Sequence, residues 1–280
     1  MAQTYIKQAT EVGSFSIDWE TLLGVDTIAT STWACETGIT QDSESETATV
    51  ATIVLSGGTA GTTYTCTNTI VTAAAATYVD TLYIIVPSAV MYNLFRDLRD
   101  DLGLTTAVDD GQIFRKLEQA IKGAESMTGK KFIPVTATRY YELDSVDGHE
   151  LILGDWLVTT PTTVTNGDSS ATVIPNTEYW LMDRNSGPPY YAIRLKAESA
   201  YYWEQDTDYW ISVLGSWGWF ATIPDDVQRA LIRWASWLYH LKDAPVYETT
   251  IFPESGAMVI PRGLPSDIVD ALQPYVWRMG

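Results

Sequence analysis

The feature that most constrains this chain is an abrupt change of character at Pro87-Ser88. Before it, Lys7 is the only basic residue, set against nine acidic ones, and Thr, Ala, Ser and Gly dominate. After it come the other 16 of the 17 Lys and Arg residues. The hydrophobic pattern changes at the same place, from runs of β-branched residues to apolar steps of three and four. A composition break at a proline marks a linker, so the chain is expected to form two domains, 1–88 and 89–280.

The first region reads as strands only. Residues 47–55 are rich in Thr, Val and Ile, 62–71 alternate polar and apolar, and 78–86 form a last strand. Residues 56–61, Ser-Gly-Gly-Thr-Ala-Gly, read as a hairpin turn, and 73–76 as a small-residue break. Short strands between glycine turns predict an all-β, Ig-like sandwich. Cys35 and Cys66 read as buried small hydrophobes on neighbouring strands, with a disulfide or, less well supported, a metal site as the alternatives. No histidine lies near them to complete a four-ligand zinc site, and neither zinc nor an essential bridge is expected.

The second region opens with a helix through Val90, Leu94, Leu98 and Leu102, with Ser88 as its N-cap and Gly103 as its stop. A second helix is expected over 111–128, with Asp109 and Asp110 at its positive end. From Arg139 to Val213 the period becomes two, with turns at 166–168 and 185–188. Pro224 opens a helix with Val227, Ala230, Leu231, Trp234, Ala235, Leu238 and Leu241 on one face. A last helix runs from about Ser266 and must end or kink at Pro274. The expected fold is multidomain: an all-β sandwich followed by an α+β domain, in the order helix–helix–antiparallel sheet–helix–helix.

Catalytic signatures are missing from the sequence: there is no HExxH, CxxC, GxSxG or GKS/T. No catalytic residue, cofactor or metal is expected. His149 reads as a solvated turn residue, His240 as a partner of a helix C-terminus, and Asp225-Asp226 as a helix start. Asp97, Arg99, Asp100 and Asp101 read as a solvated helix face or a rim of subunit contacts. The formal charge of -18 argues against a general nucleic-acid binder, but suits a channel wall past which DNA slides. Apolar runs fall far short of the ~20 residues of a membrane span. Residues 1–10 lack the apolar core of a signal peptide, so a soluble chain made in the host cytoplasm, with no membrane partner, is expected.

What remains is an aromatic surplus, 11 Trp and 16 Tyr. Trp203, Tyr209, Trp210, Trp217, Trp219, Trp234, Trp237, Tyr239, Tyr275 and Trp277 crowd the last third of the chain. Interfaces favour these residue types, so Trp217, Trp219, Trp234, Trp237, Tyr275 and Trp277 are the candidate interface or structural residues. Trp217, Trp219 and Trp234 are expected to pack the sheet end against the helix at Pro224.

Three stretches carry a resemblance. One is the paired helices, with Leu102-Gly103-Leu104, Asp109-Asp110, Thr128-Gly129 and Phe132. Another is Thr138-Arg139-Tyr140 with Tyr179-Trp180-Leu181 and Pro189-Tyr190. The third, Val213-Leu214-Gly215-Ser216-Trp217-Gly218-Trp219 followed by Ile223-Pro224-Asp225-Asp226-Val227, is the most specific. Over residues 89–245 the chain resembles tailed-phage head-to-tail connector proteins of the gp6-like adaptor family. Residues 1–88, with Asp18-Trp19 and Leu22-Leu23-Gly24, resemble small sandwich modules of phage structural proteins and depart from the plain adaptor pattern. The resemblance implies a virion structural protein of the neck: a homo-oligomer in a roughly twelve-fold ring below the portal protein. Such a ring presents a platform to a stopper or tail-terminator protein, and genomic DNA passes through its lumen. The segment 246–280 is the implied portal-docking element. The alternatives are a tail, baseplate or decoration protein using the sandwich for adhesion, a host interaction protein, and an enzyme built around Asp225, Asp226 or His149.

Overall fold

Inside–outside alternation governs the first region of the computed structural model, which describes residues 3–182, 184–241 and 263–276. Its strands are β1 (Gln3–Ile6), β2 (Gly13–Asp18), β3 (Ile28–Cys35), β4 (Ile39–Glu46), β5 (Val50–Gly57), β6 (Thr62–Thr72) and β7 (Thr77–Val86). They form a four-stranded sheet, β1-β7-β6-β3, and a three-stranded sheet, β2-β5-β4. Only β1 against β7 is parallel. Every second residue of β5 (Ala51, Ile53, Leu55) is buried, as are Tyr64, Cys66 and Ile70 of β6 and Leu82, Ile84 and Val86 of β7. With Phe15, Ile17, Trp19 and Trp33 these inner faces make one core, as expected of a β-sandwich.

Two expectations for this region are corrected. It is not strands only, because a short helix, α1 (Glu20–Leu23), follows β2. Residues 56–61 are not a hairpin turn either. They carry the chain from β5 in one sheet to β6 in the other. Period-two sequence reads the same whether successive strands pair or face each other across a sandwich. The small-residue break at 73–76 does form a hairpin: Thr72 N–H donates to Ala76 O at 2.8 Å and Val71 pairs with Thr77. Gly58 is needed at the crossover: its φ is +97°, and a Cβ there would lie 2.9 Å from Val86.

Lys7, the single cation of this region, is fully buried. Its Nζ donates to the carbonyls of Gln8 and Gly57, both at 2.8 Å, and burial pushes its amine below the ordinary lysine value. None of the nine carboxylates is buried. The sandwich surface is therefore acidic, with no Lys or Arg on it.

Two helices follow, α2 (Ala89–Asp101) and α3 (Asp110–Thr128). Ser88 Oγ caps α2 by accepting from Met91 N–H at 3.4 Å, and Gly103 leaves it at φ +66°. Ile113, Phe114, Leu117, Ala120, Ile121 and Ala124 make the buried face of α3 that their spacing predicts, whereas Met127, expected to continue that face, is 38% exposed. Arg99 departs from the expected solvated face. Its Nε lies 3.1 Å from Oδ1 of Asp110, whose side chain is only 6% exposed. Neither atom has another hydrogen-bond partner among the described residues. Burial raises the Asp110 carboxyl and Arg99 opposes that rise.

Arg99→Met strands this carboxylate. A fully buried pair broken in this way costs ~3–5 kcal/mol, and the partial exposure of Arg99 lowers the expected loss to about 2 kcal/mol at neutral pH. Protonated Asp110 needs no cation. The variant and the parent should therefore converge as pH falls into the carboxylate range, which urea titrations across pH 4–7 would read.

The remaining strands are β8 (Val135–Tyr141), β9 (Val146–Asp147), β10 (Glu150–Leu157), β11 (Thr163–Thr165), β12 (Tyr179–Met182), β13 (Tyr190–Leu195) and β14 (Ile211–Trp217). They form one antiparallel sheet in the order β11-β14-β10-β13-β12, with β8 on β14 and β9 on β10. Then come α4 (Asp225–His240) and α5 (Ser266–Leu272), the latter passing into a 3₁₀ turn at Pro274. The chain is thus a β region followed by α+β, in the expected element order. Some details differ: Leu143, Val158, Tyr202 and Trp210, expected as strand positions in the period-two stretch, lie outside the strands, and Leu241 is 37% exposed rather than part of the buried face of α4. Two compact units divide the chain, Met1–Ala120 with Leu231–Pro265, and Ile121–Ala230 with Ser266–Gly280. Helices α3 and α4 each contribute to both.

Candidate interaction surface

The six candidate aromatics occupy different environments. Trp217 is a core residue, 2% exposed, whose Nε1 donates to Ala137 O at 2.8 Å. The Arg139 guanidinium sits 5.7 Å from its ring and is held by Asp155 at 3.0 Å. Trp219 is half-buried, edge-on to Trp156 at 4.5 Å, with Lys130 Nζ 3.9 Å from its ring centroid. Burial lowers the Lys130 amine, while the ring face beside it favours the charged form and opposes that shift. Trp234 and Trp237 are half-buried on the part of α4 that belongs to the first unit, whereas Trp217 and Trp219 belong to the second. Trp277, and most of the segment 246–280, lie outside the described residues.

Tyr275 has a structural task. Its ring meets Phe132 at 6.4 Å and Phe220 at 5.6 Å, and its hydroxyl donates to the Asp226 carboxylate at 2.9 and 3.0 Å. Burial, then the Asp226 hydrogen bond and charge, raise the Tyr275 hydroxyl above its usual value. The contact ties the turn after α5 to the first turn of α4. Tyr275→Phe keeps the ring packing and loses this charge-assisted bond. It should cost about 1 kcal/mol and speed amide exchange over 263–276 more than elsewhere in the chain.

Of the other aromatics, Trp203 and Tyr239 are buried. Trp203 Nε1 donates to His149 O at 3.0 Å, and the Tyr239 hydroxyl to Asp109 at 2.7 Å. Tyr209 and Trp210 are exposed, and Trp210 stands edge-on to the exposed Tyr140 at 6.4 Å.

Sequence reasoning missed Trp180 as a surface residue. It is 41% exposed on β12, with Arg184 at 3.8 Å and Lys196 at 4.2 Å from its ring centroid. Arg194 of β13 is its direct cross-strand partner. The signal was present: in a period-two strand a buried Tyr179 turns Trp180 outward.

His149 and His240 are exposed, and Asp226 caps its own helix by accepting from Val227 N–H at 2.9 Å. Among the described residues no three His, Cys, Asp or Glu side chains gather as a metal-binding group, and no helix is long and apolar enough to cross a membrane. The outstanding chemistry of the surface is binding chemistry, made of exposed aromatic faces, cations resting on rings and an acidic sandwich.

Residues 7–85, most of the β-sandwich, match the model of a family described as podophage GP4 fiber-tail adaptor protein gp77. The match covers the sandwich almost from end to end and stops where the helices begin. It links the sandwich to a phage tail adaptor family and supports a virion structural role. The matched family is described as a fibre–tail adaptor, not as the head-to-tail connector expected from residues 89–245, and the match does not extend to those residues. No curated protein matches the chain.

Proposed function

We propose that the chain is a non-enzymatic phage adaptor that assembles as a ring of about twelve copies at the head-to-tail junction. The α+β region forms the wall of the ring, and the sandwich faces outward to receive a tail or fibre component. The coincidence of the adaptor match with the sandwich, Gln3–Val86, carries this reading. An acidic surface without Lys or Arg suits it, because a subunit made in many copies must stay apart until it meets its partner. Portal protein on one side, and a stopper or tail-terminator protein on the other, are the partners this role requires. DNA passes through the lumen without sequence-specific contact.

Reconstruction of intact particles without imposed symmetry tests the reading. The expected result is a ring of this chain next to the portal, with 89–280 around the channel and 1–88 outside. Finding the chain only in distal fibres would end the neck assignment, and its absence from purified particles would end the adaptor reading altogether.

A further inference from the structure

The surface around Trp180 is unusual for a chain with a formal charge of -18. Arg184, Arg194 and Lys196 surround this exposed ring, and none of them is in an ion pair among the described residues. Glu150 stands opposite Arg194 in the β10–β13 register, and Glu178, whose carbonyl accepts from Lys196 N–H at 2.9 Å, precedes Trp180 by two residues on the same face. β12 closes one end of its sheet, so among the described residues this patch lies at a sheet edge. Two of the cations rest on the Trp180 ring and are already ordered, which lowers the entropy lost when an anionic partner binds.

We infer that this basic–aromatic edge binds strand β4 of a second copy of the chain, an inference that rests on the oligomeric adaptor reading. β4 is the edge of the three-stranded sheet, and residues 40–46 are all exposed. Asp42, Glu44 and Glu46 lie exposed along it; the buried Lys7 acts on Asp42, Ser56 and Gln41 donate to Asp42 and Glu44, and no Lys or Arg lies on the sandwich surface beside Glu44 and Glu46. The spacings agree. Glu44 and Glu46 are two residues apart on an extended chain, as are Arg194 and Lys196, and each pair spans about 7 Å. The register of β4 shifts between Gln41 and Ser43, and such a bulge disfavours simple strand addition. The contact is therefore made by side chains. Carboxylates meet the guanidinium and ammonium groups beside Trp180.

A contact between two different surfaces of one chain is heterologous, so its repetition generates a ring or a filament. Duplex DNA is the weaker candidate for the patch, because the rest of the molecule repels it and the acidic strand is present at equal concentration.

Isotope-mixed cross-linking tests the contact in the unaltered chain. Equal amounts of ¹⁵N-labelled and unlabelled protein are treated with a carbodiimide, which joins carboxylates to amines without a spacer, and particles assembled from the same mixture are treated alongside. Lys196 should be joined to Asp42, Glu44 or Glu46 in peptides of mixed isotope. In a second arm, Arg194→Glu/Lys196→Glu and Glu44→Lys/Glu46→Lys are each expected to abolish self-association, and their mixture to restore it as alternating heteromers by native mass spectrometry. Links only within one isotope, no such link in either sample, failure of the mixture to associate, or duplex DNA binding that the Arg194→Glu/Lys196→Glu change removes would each overturn the contact. Particle incorporation of the chain is read separately, so the contact can fail while the adaptor reading stands.

Discussion

Trp217→Ala is expected to be among the most destabilising single substitutions in the α+β region, at about 4–5 kcal/mol. The side chain is among the largest fully buried ones, in a core shared with Leu151, Leu157, Val164, Ile193, Ile211 and Val213. Removing it leaves a cavity at the sheet centre, because β14 pairs with β8 on one side and with β10 and β11 on the other and cannot collapse inward. It also deprives Ala137 O of a donor and Arg139 of the ring it lies over. Trp217→Phe restores most of the volume without the N–H and should lose about half as much. Trp234→Ala, at a half-buried position, should cost distinctly less than Trp217→Ala. Urea unfolding of the three variants gives the order. A Trp217→Ala loss below about 1 kcal/mol would contradict the burial of this residue.

The elements that the sequence made legible are those in which local chemistry and tertiary packing agree. Ser88, Gly103, the Asp109-Asp110 pair and the apolar steps of α3 mark helices whose boundaries the structure reproduces within a residue or two. Strand pairing was not legible at the crossover, because glycine at 57 and 58 announces a change of direction and says nothing about which sheet the next strand joins. The aromatic surface was legible as a quantity and misplaced as a location. Composition counts Trp217 and Trp180 alike, whereas the pleat buries the first and exposes the second. The role of Arg99 was hidden for a related reason. Helix spacing sets it among Asp97, Asp100 and Asp101, and only the packing of α2 beside the start of α3 brings it to Asp110. Lys7 gave no local sign of burial, since its partners are backbone carbonyls that any sequence supplies.

Loss of the Cys35–Cys66 bond should cost the sandwich about 3–4 kcal/mol. Here the structure corrects the reading of these residues as packed thiols, because they form a disulfide. The physical cause is register. β3 and β6 are antiparallel neighbours, and Cys35 stands directly opposite Cys66, with Cα atoms 4.1 Å apart. Neither sulfur is then free to ligate a metal. The sequence shows a separation of 31 residues and no sign of which strands meet. Closing a loop of that length restricts the unfolded chain, and this is the source of the expected magnitude. The bond ties β3, an edge strand, to the interior strand β6, so it protects the side of the sandwich with the fewest ladder partners. Cys35→Ser/Cys66→Ser should keep the native circular dichroism spectrum and unfold at a lower urea concentration with little change in slope. Alkylation of the denatured parent should add label only after reduction. Labelling without reductant, or a stability loss under about 0.5 kcal/mol, would return the two cysteines to the role of packed thiols. Particles released from a cell meet an oxidising medium, where such a bond persists. Reductant treatment of intact particles should therefore weaken the sandwich, residues 7–85, before it affects the α+β region, and protease sensitivity mapped along the chain would show that order.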